Sequence, residues 1–266
     1  MDFRNQRVWI TGASSGIGEA LAVAFHNAGA KLVLSARRED ELKRVQQECG
    51  GEPDTRVLPL DVTNPEQLAE KTGQALAAFG GLDILVLNAG ITQRSRTRET
   101  DESVYRRLME VNFFAPEAMA RAVLPSMLAQ KSGHIVVISS VAGKFGVPMR
   151  SGYSATKFAL HGFFEALRAE EQRNGVYVTM VCPGYIRTQI SLSALRADGR
   201  KHAKMDSELA HGMPADDCAR QILQGVAKKK NEIVVAKPRE KALVYLKRFF
   251  PDLLTRIVGT RGGGSV

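Results

Sequence analysis

Short runs of apolar residues alternate with segments of helical periodicity along most of this chain. The apolar runs predict strands at 8–10, 31–36, 55–60, 82–87, 134–139, 176–181 and 232–235. Between them, apolar residues recur every three or four positions, which predicts helices at 17–29, 38–49, 65–79, 103–130, 152–174 and 215–227. The pattern therefore predicts a regular alternation of strand and helix.

Nearly continuous apolar strands are typical of a parallel sheet that is covered by helices on both faces. Because crossovers between parallel strands are right-handed, we expect an α/β fold, a single-domain doubly wound parallel sheet of about seven strands. This domain should span residues 1–238. Residues 189–213 are polar and interrupted by Gly199 and Gly212, and they are predicted to form a helical lid.

Residues 239–266 are predicted to be a basic, amphipathic helical extension of that domain. Apolar residues recur there at helical spacing, and basic residues fill the positions between them: Leu243, Leu246, Phe249, Phe250, Leu253, Leu254 and Ile257, with Lys241, Lys247, Arg248 and Arg256. Pro251 should interrupt the helix or begin a second one. A helix over 239–258 with these two faces can lie on a membrane surface or pack on protein, and the sequence leaves both open.

The net charge of +9 favours anionic ligands, membranes or nucleic acids as partners. Much of the excess lies near the carboxyl terminus, but no nucleic-acid-binding motif accompanies it. We therefore expect a small-molecule substrate and no nucleic acid. Apolar residues at 44% and charged residues at 24% are ordinary for a globular protein.

The three cysteines, Cys49, Cys182 and Cys218, lack the spacing of metal ligands. We expect no metal and reduced thiols, which are typical of a reducing compartment. Neither a signal peptide nor a run of roughly 20 apolar residues is evident. These features predict a cytoplasmic protein, peripheral on a membrane if the extension binds lipid.

A glycine-rich segment directly follows the first predicted strand and opens the first helix. Glycines at such a turn let backbone N–H groups approach a pyrophosphate, which the positive end of the helix also attracts. The segment predicts a dinucleotide site formed by Gly12, Ser14, Ser15, Gly16, Ile17 and Gly18. A plain tight turn is the alternative interpretation of the glycines alone.

The second strand ends in Ser35-Ala36-Arg37-Arg38, where an NAD site usually carries a carboxylate for the ribose hydroxyls. Guanidinium groups bind a 2′-phosphate, whereas a carboxylate would repel it. We therefore expect NADP(H) as cofactor, with Arg37 as the main contact and Arg38 as a second one.

Tyr153 and Lys157 lie one helical turn apart on one face of a predicted helix. The pKa of a free tyrosine is about 10, and a nearby ammonium should lower it enough for proton transfer near neutrality. Ser140 follows a strand and can hydrogen-bond a substrate oxygen. The segments that follow the strands before and after this one suit contact with a nicotinamide through Asn88, Ala89, Gly90, Pro183, Gly184, Ile186 and Thr188.

This combination resembles the short-chain dehydrogenase/reductase family from about residue 6 to residue 235. The resemblance rests on TGASSGIG at 11–18, Asp61-Val62, NAG at 88–90, Asn112, Ser140, YSATK at 153–157 and PG at 183–184. It implies a Rossmann-like fold and an NADPH-dependent oxidoreductase that interconverts a carbonyl and an alcohol.

The family pattern also implies a role for each matching residue. Tyr153 would donate the proton, Lys157 would lower its pKa and bind the ribose, and Ser140 would polarise the carbonyl. Asn112 would hold a water that leads to Lys157, and Asp61 and Val62 would contact the adenine. A homodimer or homotetramer, paired through helices 103–130 and 152–174, is implied as well.

The substrate wall is expected to include Gln93, Phe145, Val147, Met149 and Tyr185 together with the 189–213 lid. Most of these side chains are apolar, which favours a hydrophobic ketone or aldehyde. The physiological direction and the substrate itself cannot be read from the sequence.

Three alternatives remain at this stage. A 3-oxoacyl carrier-protein reductase would use the same chemistry on another substrate, and its acidic carrier would suit the basic surface. A non-catalytic NADPH-binding sensor or scaffold would need the cofactor site alone. Nucleic-acid binding through the basic tail would depend strongly on salt.

Overall fold

The computed structural model describes residues 2–261 of the 266-residue chain. Seven strands form one parallel sheet: β1 (Arg7–Thr11), β2 (Lys31–Ser35), β3 (Thr55–Val57), β4 (Ile84–Leu87), β5 (Gly133–Ile138), β6 (Val176–Pro183) and β7 (Glu232–Val235). Their order is β3-β2-β1-β4-β5-β6-β7, and every neighbouring pair is parallel. The expected doubly wound α/β fold is confirmed.

Helices cover both faces of this sheet. The α-helices of the described residues, eight between strands and two after the last strand, are α1 (Gly16–Asn27), α2 (Glu39–Glu48), α3 (Pro65–Ala77), α4 (Glu102–Met109), α5 (Ala115–Ala129), α6 (Ser151–Glu171), α7 (Ser207–Ala210), α8 (Ala215–Ala227), α9 (Pro238–Phe249) and α10 (Pro251–Arg261). Residues of α1, α2 and α8 share one core, whereas residues of α3, α5 and α6 share the other.

Alternation along the strands supplies both cores, because successive side chains point to opposite faces of a sheet. Val8 and Ile10 of β1 join the α1 side, while Trp9 joins the α6 side. Trp9 is fully buried and donates its indole N–H to Ser35 Oγ at 2.9 Å. A buried indole thus keeps its hydrogen bond while its ring fills the core.

The strand order reverses between β1 and β4, which lie side by side although β2 and β3 separate them in the chain. In open parallel sheets, ligands bind outside the carboxyl ends of the strands at such a reversal. A ligand site is therefore expected beside the residues that follow Thr11 and Leu87.

The long helix predicted at 103–130 is three pieces. A π-helical turn at Glu110–Phe114 joins α4 to α5, and Asn112 lies within it. Such turns widen a helix by one residue and commonly occur at functional sites. Periodicity alone could not detect this turn, because the apolar pattern continues through it.

The expected helical lid at 189–213 is mostly not helical. A 3₁₀ turn at Gln189–Ser191 and the four-residue α7 are its helical parts. Between them Leu195 pairs with Gln93 and Lys201, and Gly199 turns the chain with φ of +77°. Backbone pairing with residues far away in the chain thus replaced the local helix.

The carboxyl-terminal extension is two helices, and Pro251 begins the second. One side of the pair packs against the domain, where Leu243, Leu254 and Val258 meet Val141 and Phe145. The other side leaves Tyr245, Phe249, Phe250 and Leu253 exposed. Residues 262–266 of the extension lie outside the described residues.

Among residues 2–261, no helix combines the length and the hydrophobicity needed to cross a membrane.

Candidate active site

The glycine turn after β1 has a backbone that side chains would obstruct. Gly12 and Gly16 adopt φ of +64° and +61°, the left-handed region that favours glycine. A Cβ at Gly18 would lie 2.2 Å from the carbonyl oxygen of Gly12. The Thr188 side chain closes on the turn, since a Cβ at Gly16 would be 3.0 Å from its Cγ2. The turn is therefore a backbone cradle between β1 and the segment after β6.

Hydrogen bonds fasten this turn to the end of β4. Asn88 Nδ2 donates to the carbonyl oxygens of Thr11 at 3.0 Å and Gly12 at 3.1 Å. Thr11 Oγ1 accepts from the backbone N–H groups of Asn88 and Ala89 at 3.0 and 3.1 Å. The sequence analysis missed Thr11, whose only signal was a hydroxyl at the end of a buried strand.

The side chains expected at the adenine end lie around the end of β2. Arg37 and Arg38 are exposed, and Arg38 Nη2 donates to Ser14 Oγ at 3.4 Å. Burial by itself would raise the pKa of Asp61, but hydrogen bonds from Thr63 and the charge of Arg37 outweigh it and hold that pKa below its ordinary value. Val62 is half-buried beside Asp61. Ser15 is exposed at the start of α1.

Tyr153 and Lys157 lie on the first turns of α6 and are buried, with 9% and 5% of their surfaces exposed. Lys157 Nζ donates to the carbonyl oxygen of Ile138 at 2.8 Å and lies 5.6 Å from the centre of the Tyr153 ring. Ser140 Oγ accepts from Ala142 N at 3.1 Å and donates to the carbonyl oxygen of Pro183 at 3.4 Å. All three side chains line one cavity.

The pKa values at this site differ from the expectation. Burial raises the pKa of Tyr153, and the opposing effects of Ser140, Arg150 and Arg94 do not cancel it. Burial also lowers the pKa of Lys157 to about 8. The expected lowering of the Tyr153 pKa by Lys157 is therefore absent in this structure, because enclosure of the phenol dominates.

Asn112 is fully buried and braces the site. Its Oδ1 accepts from Ile91 N at 2.9 Å, while its Nδ2 donates to the carbonyl oxygen of Ile91 at 2.9 Å and to Thr156 Oγ1 at 3.1 Å. A Cβ at Gly90 would be 3.2 Å from Asn112 Oδ1 and 3.8 Å from Lys157 Nζ. The structure thus brings Asn112 beside Lys157, and its water-holding role stays a prediction.

The cavity at the carboxyl edge of the sheet has a volume of about 620 Å³. Of the residues expected to bind cofactor or substrate, it is lined by Ile17, Asn88, Gly90, Phe145, Val147, Met149, Pro183, Gly184, Tyr185, Ile186 and Thr188. The nicotinamide-side and substrate-side predictions therefore converge on one space, next to Tyr153.

Gln93 is an exception and is corrected here. Its side chain is fully buried. The amide donates to Ser95 Oγ at 3.0 Å and to Thr100 Oγ1 at 3.2 Å, and its oxygen accepts from Gly152 N at 2.9 Å. Gln93 therefore anchors the start of α6 instead of facing a substrate.

Several charged residues of the cavity escaped the sequence analysis: Arg94, Arg96, Arg150, Glu208, Lys237, Arg239 and Glu240. No motif marks them, because they come from four separate parts of the chain that only the fold brings together. Leu243 and Val258 of the extension also line the cavity, so the extension forms part of its wall.

A second polar cluster lies one helical turn beyond Lys157 on α6. An imidazole nitrogen of His161, the sulfur of Cys182 and a carboxylate oxygen of Glu232 lie within 4.8 Å of one another. Burial raises the pKa of the Cys182 thiol to about 12, and Lys144 Nζ already pairs with Glu232. The ammonium of Lys144 thus already balances the carboxylate charge of Glu232.

Comparison with known proteins places this fold and site in context. A family model described as short chain dehydrogenase matches residues 6–198. Dehydrogenase/reductase SDR family member 7B of Bos taurus is 40% identical over 97% of this chain and 82% of its own length.

Solved structures agree. A short-chain dehydrogenase/reductase from Burkholderia phymatum in complex with NAD superposes with a TM-score of 0.83, at 26% identity over 95% of this chain and 96% of its own. A metagenomic short-chain oxidoreductase in complex with NADP gives a TM-score of 0.72, at 29% identity over 87% of this chain and 97% of its own. These similar proteins bind one or the other form of the cofactor.

Replacing Gly18 with alanine tests the cradle. A Cβ at this position would overlap the Gly12 carbonyl, so Gly18→Ala should deform the turn and weaken NAD(P)H binding at least about tenfold, or ~1.4 kcal/mol, in a fluorescence titration. Gly73→Ala is the matched control, since a Cβ at Gly73 in α3 meets nothing within 4 Å. It should retain binding and raise the free energy of unfolding by about 0.5–1 kcal/mol. Equal binding by the two variants would contradict the cradle.

Proposed function

This chain belongs to the short-chain dehydrogenase/reductase family, and we propose that it is an NADP(H)-dependent oxidoreductase that interconverts a carbonyl and a primary or secondary alcohol. The observation that carries the proposal is the convergence of Ser140, Tyr153 and Lys157 on one cavity beside the glycine turn. A sensor or scaffold would need the turn alone. The convergence of a proton donor, an oxygen-binding hydroxyl and an ammonium suits catalysis.

The residues present fit a dinucleotide. The turn at Gly12 and Gly18 leaves room for close backbone approach, and α1 begins directly behind it. Asn88, Gly90 and Thr188 lead from this turn to the cavity. The bound nicotinamide would supply the hydride, while the protein supplies orientation and electrostatics.

Tyr153 is the group proposed to give its proton to the carbonyl oxygen during reduction. The raised pKa of its buried phenol keeps the proton in place at neutral pH, so the group is ready as an acid. As a donor, Ser140 Oγ makes a long bond of 3.4 Å to Pro183 O, and it can turn its O–H toward a substrate oxygen. Two donors would then stabilise the charge that develops on this oxygen.

Lys157 stabilises the phenolate that remains after proton transfer. At neutral pH it is mostly protonated, because its pKa of about 8 lies above 7. Its ammonium is held by the Ile138 carbonyl at 2.8 Å, which fixes it near the tyrosine ring. Burial strengthens this interaction, since charges attract more strongly in a low dielectric.

NADP(H) is preferred in this proposal over NAD(H). Positions 35–38 after the second strand offer two arginines and no carboxylate. Arg38 reaches Ser14 of the glycine turn, and the charge of Arg37 acts on Asp61. A 2′-phosphate between these side chains would meet two guanidinium groups.

We further propose that the extension binds a membrane surface while its other side packs on the domain. Tyr245, Phe249 and Phe250 expose 65%, 69% and 62% of their surfaces. Lys247 and Arg248 are exposed on the same helix. Exposed aromatic rings flanked by basic side chains suit an interface with anionic lipids.

A homodimer or homotetramer in the cytoplasm completes the proposal. Phe114 beside α5 and Phe158 on α6 are exposed at 49% and 44%, and both belong to the helices expected to pair. Large exposed aromatics of this kind commonly mark protein interfaces. The buried free thiols of Cys49, Cys182 and Cys218 suit a reducing compartment.

The proposed function is tested with Tyr153→Phe against a panel of aliphatic and aromatic ketones and aldehydes. We expect NADPH oxidation to fall about 100-fold or more, because the proton donor is lost, while NADPH binding persists. Tyr177→Phe is the matched control, because Tyr177 lies in β6 beside His134 and Lys229 and should retain activity. If the wild-type protein binds NADPH but none of the carbonyl compounds in the panel supports its oxidation, the catalytic proposal fails.

The cofactor preference is tested with Arg37→Gln and Arg38→Gln. Losing a guanidinium on the 2′-phosphate should raise the Kd for NADPH about tenfold or more and leave the Kd for NADH nearly unchanged. Arg173→Gln removes an exposed arginine at the opposite edge of the sheet and should change neither constant. Equal weakening of both cofactors would reject the phosphate role.

The membrane surface is tested by changing Tyr245, Phe249 and Phe250 to serine together, which spares the packed side of the extension. Binding to vesicles that contain anionic phospholipids should weaken at least about tenfold as apolar area is lost. Met205→Ser, which changes an apolar residue that is 45% exposed elsewhere, should bind as wild type does. Sedimentation with vesicles measures both, and undiminished binding by the triple variant would disprove the surface.

A further inference from the structure

Apolar and basic residues both line the cavity. An apolar wall forms where the extension meets the domain, with Leu243 and Val258 from the extension and Val141 and Phe145 from the domain. Five basic side chains other than Lys157 also line it, Arg94, Arg96, Arg150, Lys237 and Arg239, against Glu208 and Glu240 among the described residues. Basic side chains therefore outnumber acidic ones along the lining of this cavity.

Arg94 and Arg150 are largely enclosed, with 11% and 15% of their side chains exposed. Burial, followed by the charge of Arg150, lowers the pKa of Arg94 to about 10. Arg150 also lies over the Tyr185 ring, 5.6 Å from its centre. Both side chains are therefore held in place within the cavity.

One carboxylate oxygen bridges the two arginines. Asp206 Oδ2 accepts from Arg150 Nη2 at 2.9 Å and from Arg94 Nη2. Asp206 belongs to the irregular segment 189–213, and its backbone N–H donates to Ser191 Oγ at 3.2 Å in the same segment. The structure thus shows an anion-binding geometry that a residue of the chain itself now fills.

Asp206 pairs with both guanidinium groups, and Glu208, whose charge also acts on Arg94, is exposed. Buried charges are expensive when they lack partners, and guanidinium pairs bind carboxylate and phosphate groups through parallel hydrogen bonds. Since Arg94 and Arg150 act electrostatically on Tyr153, an anion bound there lies near the proton donor.

We propose that the substrate is an amphiphile whose anionic group, a carboxylate or a phosphate, binds Arg94 and Arg150 in place of Asp206. Its apolar part then lies against Phe145, Leu243 and Val258. Release of Asp206 frees the 189–213 segment from its charged anchor, so substrate binding and movement of this segment are coupled. This inference rests on the proposed carbonyl chemistry and narrows its substrate class.

The test uses oxo-octanoates with the ketone at successive positions, each paired with its methyl ester, and phosphate monoesters of the corresponding oxo-octanols paired with the free alcohols. Wild-type kcat/KM should favour the charged member of at least one pair about tenfold or more, as one charge-assisted hydrogen bond predicts. The pair that shows the preference identifies carboxylate or phosphate.

Three variants separate anion binding from a merely structural ion pair. Arg150→Gln should reduce kcat/KM for the charged substrate at least about tenfold more than for the neutral one. Asp206→Asn should lower the KM of the charged substrate about threefold or more relative to the neutral one, because the internal competitor is gone. Arg196→Gln, an exposed arginine of the same segment, is the control and should leave the ratio unchanged.

Binding of octanoate and inorganic phosphate, followed by calorimetry, supplies a readout that needs no turnover. Octanoate or phosphate binding that Arg150→Gln abolishes supports the anion site even if no ketone is reduced, in which case the proposed function alone fails. Equal reduction of charged and neutral substrates, with no anion binding, overturns the anion site and leaves the oxidoreductase intact. An Asp206→Asn variant that loses activity on both members of a pair shows a structural ion pair and also overturns it.

Discussion

The close contact between the ends of β1 and β4 is the constraint on which this molecule depends. Thr11 and Asn88 exchange hydrogen bonds across the point where the strand order reverses. These bonds satisfy backbone groups at the ends of the two strands, and they hold the glycine turn against the end of β4. Since Gly18 approaches Gly12 within a distance that no side chain permits, the cradle exists only while this contact persists.

Enclosure governs the chemistry at the other end of the site. Burial opposes both a phenolate at Tyr153 and an ammonium at Lys157, so each group alone is driven toward its neutral form. In a low dielectric a phenolate and an ammonium attract each other strongly, but here enclosure dominates and the pKa of Tyr153 stays raised. In the proposed reaction, loss of the proton from Tyr153 therefore relies on Lys157 being charged.

The sequence was sufficient for the features that local patterns encode. The alternation of strands and helices, the glycine turn and the positions of Tyr153, Ser140 and Lys157 follow from motifs and periodicity. The buried position of Gln93 and the conformation of residues 189–213 could not be predicted from such patterns. Both depend on pairing between distant residues, such as Gln93 with Leu195. The raised pKa of Tyr153 was equally beyond reach, since it depends on how completely the fold encloses the ring.

The carboxyl-terminal extension contributes both to the cavity wall and to an exposed surface of aromatic and basic residues. Its packed side contributes Leu243 and Val258 to the cavity wall, while its other side exposes aromatic rings among basic residues. A ligand that leaves an anionic lipid surface would therefore meet the same helices outside and inside the cavity. Positive charge on both sides of this wall attracts the same class of molecule, because electrostatic potentials from neighbouring groups of one sign add.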